Sequence, residues 1–314
     1  MKGVVYKSTG SWCNVHTDSN VVYKCNLKGK FRNLNIKSTN PVSVGDYVSF
    51  DITNQNEMKG VINKIENRKN YIIRKSVNLS KQTHIVASNI DCCFLFVTPS
   101  NPNTTTLFID RVLSSTESFG IETIILFNKV DIYDKKDLMY IEELNKIYSD
   151  IGYRCIKISV KTKLNLEKIK NLIQNKVSVF TGHSGVGKTS LMNILNPKLN
   201  LRTSEISVKS EQGQHTTTFA EMFDFEGNAK IIDSPGLKGF GLIDIEKNEI
   251  KFYFKEILKL SNDCRFNNCL HQNEPNCAVK LAVDKNEISK SRYKNYLNLL
   301  NNDNDNFRTK MYNL

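Results

Sequence analysis

The residues most suggestive of chemistry form a glycine-rich stretch between an apolar run and a helical pattern. Residues 178–191 read SVFTGHSGVGKTSL. Three glycines let successive backbone amides turn toward one anion, and a following helix adds the positive end of its dipole. Lys188 would contact the β- and γ-phosphates, and the Thr189 hydroxyl would bind Mg²⁺. A plain glycine turn is the alternative. The residues predicted to hold phosphate and magnesium are Gly182, His183, Ser184, Gly185, Val186, Gly187, Lys188, Thr189 and Ser190.

A second polar segment, NKVD, follows the apolar run 123–127. The Asp131 carboxylate could accept both the N1 and the N2 protons of guanine, a pair of donors that adenine lacks. Farther along, a serine and a valine follow a predicted strand at the place where GTPases put a Ser-Ala pair, whose backbone amide contacts guanine O6. The residues predicted to bind the base are Asn128, Lys129, Val130, Asp131, Ser159 and Val160.

A third segment, Asp233-Ser234-Pro235-Gly236, follows the strand-like run 229–232. Its aspartate suits a water-mediated contact with Mg²⁺, and its glycine exposes an amide to the γ-phosphate. Each tetrapeptide alone is most often a turn. Three such segments, each after its own strand, favour a guanine-nucleotide site over an ATP-dependent kinase or transport ATPase.

The polar stretch 213–218 lies between these phosphate-binding segments and is typical of a nucleotide-dependent switch. One of its threonines would close on Mg²⁺ and the γ-phosphate, and we assign Thr217 to that role. Leu237 stands where many GTPases have the glutamine that orients the attacking water. Slow intrinsic hydrolysis is therefore expected, with either His215 or a bound partner placing the water. The predicted catalytic residues are His215, Thr217, Asp233 and Gly236.

Three cysteines and one histidine crowd into fourteen residues near the C-terminus. The ligands predicted for one structural zinc ion are Cys264, Cys269, His271 and Cys277. Spacing this tight brings four ligands within reach of a tetrahedral ion and leaves no open position for catalysis. Ordinary buried cysteines beside an exposed histidine are the alternative. The other cysteines are scattered or adjacent, which argues against a disulfide framework.

Charge is uneven along the chain of 314 residues. The formal net charge is +12, and residues 1–75 hold 13 Lys plus Arg against 5 Asp plus Glu. Such an excess favours a polyanionic partner. No run of about eighteen apolar residues is present, so we expect a soluble, cytoplasmic protein without membrane contact. No heptad pattern stands out, and we expect a monomer.

Short alternating runs over residues 1–75 predict a five-stranded barrel of the OB type. Basic residues interleaved with aromatics in this segment suit a surface that follows a nucleic-acid backbone and stacks bases. Aromatics in the barrel core with lysines on a solvated face are the alternative. The residues predicted to bind RNA are Ser11, Trp12, Lys28, Lys30 and Arg32.

Strand and helix patterns alternate from residue 91 to the phosphate stretch, which predicts an α/β domain with a mostly parallel sheet. A polar connector over 67–83 would precede it, and helices over 248–260 and 289–301 would flank the cysteines. The predicted domains are residues 1–75, an OB-fold RNA-binding domain; 76–243, a GTPase domain; and 244–314, a zinc-binding helical domain.

The order of the segments is unusual, because in ordinary GTPases the phosphate loop precedes the Asn-Lys-x-Asp segment. Here Asn128 precedes Gly182, and Asp233 comes last, so the elements can keep their places only if the chain is circularly permuted. In this order, in the segment 273–279 and across nearly the whole chain, the sequence resembles the RsgA/YjeQ family of circularly permuted ribosome-biogenesis GTPases.

The resemblance implies a GTP hydrolase that binds the small ribosomal subunit and its rRNA during late subunit maturation, with release coupled to turnover. It implies GTP and GDP as ligands, Mg²⁺ with the nucleotide, one structural Zn²⁺, and an OB domain in contact with rRNA. Because residues 233–241 lead directly into the zinc segment, a switch there could reposition that domain. The alternative is a GTP-regulated RNA-binding assembly checkpoint in which hydrolysis is incidental.

Overall fold

The computed structural model describes residues 1–9, 11–29, 41–75, 83–202, 220–234 and 245–301. Over these residues the chain forms an N-terminal barrel, a central sheet covered by helices and a C-terminal group of helices. This arrangement confirms the predicted multidomain fold class. Every helix in the described ranges is too short or too polar to span a bilayer.

Five strands close the N-terminal barrel, and their bounds are β1 Lys2–Ser8, β2 Cys13–His16, β3 Val22–Leu27, β4 Tyr47–Asn54 and β5 Lys59–Ile65. Strand β1 pairs with β2 and with β4, β3 pairs with β2 and β5, and β4 pairs with β5. Alternation along the strands buries Val5, Val15 and Phe50 in the centre. Tyr23 lies in the same core, so its ring is not part of a base-stacking surface.

The segment expected to be a polar connector is partly a strand pair. Strands β6 Tyr71–Lys75 and β7 Thr83–Ser88 pair antiparallel. The prediction of a polar connector was therefore wrong for these strands. The apolar run that forms β6 is short, and it does not stand out in a polar sequence. A bridge between Val44 and Ala87 joins the barrel to β7. Asp46, which is fully buried, accepts two hydrogen bonds from Arg68 and one from the Ser88 hydroxyl.

The central sheet contains β8 Cys92–Val97, β9 Glu122–Phe127, β10 Arg154–Lys157, β11 Val177–Thr181, β12 Glu221–Phe225 and β13 Ala229–Asp233. Its spatial order is β10-β9-β8-β11-β13-β12, with every pairing parallel except β12–β13. Strand β8 is buried along its whole length, as expected for a strand covered on both faces. The α-helices of this domain are α1 Thr106–Ser118, α2 Lys135–Asp150, α3 Leu166–Ile173 and α4 Lys188–Leu195, and a 3₁₀ helix spans Pro197–Leu199.

The C-terminal region contains a 3₁₀ helix at Lys247–Tyr253 and three α-helices, α5 Lys255–Ser261, α6 Ala278–Asp284 and α7 Lys290–Asn301. The single helix expected over 248–260 is thus broken at Phe254, whose backbone is extended. The Phe254 ring is fully buried and lies edge-on to Tyr296 at 5.4 Å. Burying this ring against α7 accounts for the break, and the helical periodicity of the segment did not reveal it.

Candidate nucleotide and metal sites

The carboxyl ends of the parallel strands bring the three predicted nucleotide segments to one edge of the sheet. The phosphate loop follows β11, the segment beginning at Asn128 follows β9, and Asp233 ends β13. Strand β11 has β8 and β13 as its neighbours, and β9 lies beyond β8. Segments far apart in an unusual order along the chain therefore converge at the edge where open α/β sheets bind ligands.

The phosphate loop needs its glycines for two physical reasons. Gly182, Gly185 and Gly187 all have positive φ, at +143°, +80° and +101°. A Cβ at Gly187 would also lie 2.3 Å from Asn128 Nδ2. Any larger residue at Gly187 would thus collide with the guanine-segment asparagine as well as strain the backbone.

Lys188 begins α4 and is buried beneath the loop. Its ammonium donates to the Gly182 and His183 carbonyls, each at 2.9 Å. Burial lowers the pKa of Lys188 to about 8, against the opposing effect of the Asp233 carboxylate. Burial likewise raises the pKa of Asp233, Lys188 opposes that rise, and Glu221 on β12 adds to it. The site therefore places a buried cation near a half-buried carboxylate, the pair that a phosphate–magnesium complex would contact.

Asn128 joins the guanine segment to the phosphate loop. Its buried amide donates to the Val186 carbonyl at 2.7 Å. Its Oδ1 atom is buried and has no hydrogen-bond partner within the described residues. An unpaired buried oxygen is costly unless a ligand or water supplies the donor. The hydrogen bond from Nδ2 thus fixes the orientation of the Asn128 amide, and Oδ1 is left to accept a hydrogen bond from a ligand.

Asp131 is exposed, and a second segment orients it. The Ser159 hydroxyl donates to Asp131 Oδ1 at 2.6 Å and accepts from the Thr162 amide at 3.0 Å. Ser159 is fully buried after β10, and Val160 is half-buried beside it. The sequence predicted only a backbone contact between the Ser159–Val160 pair and guanine. The structure shows that the Ser159 side chain also positions the Asp131 carboxylate.

Sequence reasoning missed the loop that follows β8. Lys129, at φ +67°, donates from its ammonium to the Asn101 carbonyl at 2.7 Å. The neighbouring Ser100 donates to Asp137 at 2.7 Å, and its carbonyl accepts from the Tyr133 hydroxyl at 3.3 Å. The only signal in the sequence was a run of Pro, Ser and Asn after a strand, which predicts a turn without assigning it a neighbour.

Several predicted residues lie outside the described ranges: His215, Thr217 and Gly236 of the catalytic set, and Lys30 and Arg32 of the RNA set. Of the remaining RNA candidates, Ser11 and Lys28 are exposed and Trp12 is half-buried. The Lys24 ammonium lies 5.0 Å from the centre of the Trp12 ring. A cation over an indole beside exposed polar residues is compatible with a nucleic-acid surface.

The four metal-ligand candidates come together in the C-terminal region. One ligand atom from each of Cys264, Cys269, His271 and Cys277 lies within 4.8 Å of the others, and all four residues are buried. His271 Nδ1 lies 3.5 Å from the Cys264 sulfur and 3.4 Å from the Cys277 sulfur. A buried set of three thiols and one imidazole this close fits a tetrahedral metal ion.

The second ring nitrogen of His271 supports this geometry. Nε2 lies 3.0 Å from the Ser261 hydroxyl, which itself donates to the Ile257 carbonyl at 2.7 Å. The hydroxyl thus accepts from Nε2, which leaves Nδ1 unprotonated and facing the sulfurs. Burial lowers the pKa of His271 to about 4, so the imidazole is neutral at pH 7, as a metal ligand must be.

The fold and the site define a P-loop GTPase with a circularly permuted sheet, a barrel before it and a Cys₃His cluster after it. Family models agree, since the RsgA N-terminal domain matches residues 2–62 and the RsgA GTPase matches residues 65–243. The chain belongs to the RsgA family and is a GTP hydrolase.

Individual relatives match over nearly their full length. The "Small ribosomal subunit biogenesis GTPase RsgA" of Flavobacterium psychrophilum is 53% identical, over 100% of this chain and 96% of that protein. The "Small ribosomal subunit biogenesis GTPase RsgA 2" of Bacteroides thetaiotaomicron is 51% identical, over 96% of each chain.

Solved structures match as well. The crystal structure of YjeQ from Thermotoga maritima is 34% identical with a TM-score of 0.75, over 96% of this chain and 99% of that one. The structure titled "YloQ, a circularly permuted GTPase" is 29% identical with a TM-score of 0.69, over 95% and 93%. The match spans all three parts of the fold.

Proposed function

We propose that this protein is a GTPase of small ribosomal subunit biogenesis, which binds the subunit and its rRNA during late maturation and hydrolyses GTP to GDP and phosphate, with release coupled to turnover. The observation that carries the proposal is the convergence of Asn128, Asp131, Lys188 and Asp233 at one edge of the sheet. The names of full-length relatives support this function rather than a checkpoint with incidental hydrolysis.

Each segment has a distinct role in the proposed reaction. Asp131, held by Ser159, accepts the two guanine protons, while the loop amides and Lys188 hold the phosphates. Thr189 and Thr217 would hold Mg²⁺, which neutralises phosphate charge when bound. Asp233 is assigned the water-mediated contact with that ion, and Gly236 the γ-phosphate contact. His215 is proposed to place the attacking water, because Leu237 cannot.

The two flanking domains are proposed to dock the enzyme on RNA. The buried Cys₃His cluster is assigned one structural Zn²⁺, because three thiolates and a neutral imidazole suit that ion. The barrel is assigned the rRNA contact through Ser11, Trp12, Lys28, Lys30 and Arg32. Domain boundaries at 75/76 and 243/244, a monomeric state and a cytoplasmic location without membrane contact belong to the same proposal.

The experiment that tests this function measures GTP turnover by the purified protein alone, with small ribosomal subunits and with free large subunits. We expect strong stimulation by small subunits only, because the docked geometry would complete a site that lacks a water-orienting glutamine. Tight GTP binding without stimulation would overturn the proposal in favour of the checkpoint. Competition by GDP but not ADP checks base recognition in the same samples.

A further inference from the structure

A buried polar cluster joins the C-terminal helices to helix α1 of the GTPase domain. Arg292 on α7 is 1% exposed and donates from Nη1 to Asp110 at 2.7 Å. Its Nε and Nη2 atoms donate to Glu256 on α5, at 2.7 and 3.0 Å. Asp110 also accepts from Asn295 at 2.6 Å and from Tyr148 at 2.8 Å. One carboxylate thus holds α7, α1 and α2 together, away from water.

The same turn of α1 contacts the phosphate loop. Phe108, two residues before Asp110, is buried, and its ring centre lies 4.1 Å from that of His183, with 31° between the planes. His183 is the second residue of the loop, and its carbonyl accepts a hydrogen bond from Lys188 at 2.9 Å. The ring contact therefore supports the loop residue that helps to hold the phosphate-binding lysine.

We infer that Phe108 is a positioning residue for nucleotide binding, and that the Asp110–Arg292 contact fixes it, so that docking of the C-terminal helices sets the geometry of the phosphate loop. This connection runs through α1, whereas the sequence suggested coupling through the segment after Asp233. By linkage, nucleotide in the loop must stabilise the docked helices to the same extent that docking favours nucleotide. The inference rests on nucleotide binding by this loop, which is one part of the proposed function.

The test compares variants along this connection in the full-length protein. Phe108→Leu removes the ring contact with His183, and Phe108→Tyr retains it. Asp110→Asn has nearly the same shape but weakens the contact with Arg292. The matched control is Glu117→Gln, which breaks the 2.8 Å ion pair between Glu117 and Lys255 at the opposite end of α1, in the same domain contact.

Affinity for fluorescently labelled GDP is the first measurement, and wild-type binding is established before any variant is interpreted. We expect Phe108→Leu to weaken GDP binding about two- to tenfold, the range that corresponds to loss of one ring contact. Asp110→Asn should weaken it in the same direction, while Phe108→Tyr and Glu117→Gln should bind as wild type. If wild type does not bind GDP, the proposed function fails, and this inference fails with it.

Hydrogen exchange of the α7 amides, with and without GDP, separates positioning from a general loss of stability. In the wild type and in Glu117→Gln, GDP should slow exchange over residues 290–301. In Phe108→Leu that GDP-dependent slowing should shrink or vanish, although α7 itself remains folded. Wild-type α7 exchange that is indifferent to GDP, or a Phe108→Leu variant with unchanged affinity, would overturn the inference while leaving GTPase function intact.

Discussion

The GTPase domain touches its two neighbours in physically different ways. On the barrel side, Lys7 of β1 pairs with Glu221 of β12 at 2.8 Å, with side chains 37% and 32% exposed. On the C-terminal side, Arg292 pairs with Asp110 at 2.7 Å, with side chains 1% and 0% exposed. The first ion pair is half-exposed to water, whereas the second is fully buried.

The difference matters because water changes the cost of breaking an ion pair. An exposed pair separates at little cost, since solvent takes over both charges. A buried pair that loses one partner leaves an uncompensated charge in the interior. Loss of the Lys7–Glu221 ion pair should therefore cost little. Strands β1 and β12 remain joined by their backbone pairing and by the Tyr6–Asp224 hydrogen bond, and buried Asp46 also attaches the barrel. Separating the C-terminal helices from α1, by contrast, would leave the buried Asp110 without its cation and should cost much more.

Of the changes considered, removing the proposed zinc ion should have the largest effect on the stability of the C-terminal helices. Structural zinc sites contribute on the order of 10 kcal/mol to small modules, so chelation is expected to unfold the C-terminal helices despite their buried contact with α1. Hydrogen exchange of the full chain, with metal content determined in parallel, checks this. Barrel strands β1–β5 serve as the internal control, and full protection of α6 and α7 in metal-free protein would contradict the expectation.

Replacing Arg292 comes next. Arg292→Met keeps an apolar stem beside Phe254 but leaves Asp110 and Glu256 buried without their cation, which should cost about 3–5 kcal/mol. Urea denaturation followed by proteolysis of the C-terminal helices measures the loss. Lys255→Gln, at an exposed pair in the same contact, is the matched control and should cost less than about 1 kcal/mol.

The Tyr6 hydroxyl offers an intermediate test on the barrel side. It donates to Asp224 at 2.6 Å, and the Tyr6 ring is buried. Tyr6→Phe retains the ring and removes this hydrogen bond, so we expect a loss of about 1–2 kcal/mol in the free energy of unfolding. If Tyr6→Phe lowered the free energy of unfolding as much as Arg292→Met does, the barrel-side and C-terminal contacts would not differ in strength as proposed.

Lys7→Gln should have a smaller effect. The pair with Glu221 is half-exposed, so its loss is expected to cost less than about 1 kcal/mol and to matter less as salt is raised. Thermal denaturation at low and at high ionic strength gives the comparison. An undiminished effect at high salt would mean that this pair is shielded from solvent.

The smallest expected effect is a pH dependence at the same contact. His16 stacks on Tyr6 at 3.6 Å, and burial lowers its pKa, with Lys230 acting in the same direction and Asp224 against it. The unfolded chain therefore binds the proton more readily, so stability should decline as pH falls below about 6.5. The slope of stability against pH should flatten in His16→Gln, and equal slopes in both proteins would exclude His16 as its source.

Local sequence patterns predicted most of the fold. They also predicted the segments that meet at the candidate nucleotide site and the four metal-ligand candidates. The phosphate loop, the Asn128–Asp131 segment and the cysteine cluster each carry their chemistry within a few adjacent residues, and the structure places each at a strand end or in a buried pocket. Strand and helix periodicity likewise predicted the barrel and the parallel strands of the central sheet, but not its antiparallel strand β12. Those features need only local information.

Contacts between distant segments were not predictable in the same way. Nothing near Arg292 indicates that its partner is Asp110, 182 positions earlier, and Phe108 reads as an ordinary apolar helix residue. The break at Phe254 has the same origin, because the ring's partners lie on α7. Helical periodicity tells which face is apolar but not which neighbour will cover it.

The permuted strand order also has a consequence for how the protein is made. A ribosome releases the barrel first, and its five strands can close once residue 65 has emerged. Tyr6, however, must wait for Asp224, 218 positions later, and Asp110 must wait for Arg292. The Tyr6–Asp224 and Asp110–Arg292 contacts therefore form late in synthesis, and the nascent chain carries Asp110 without its cation until α7 is made.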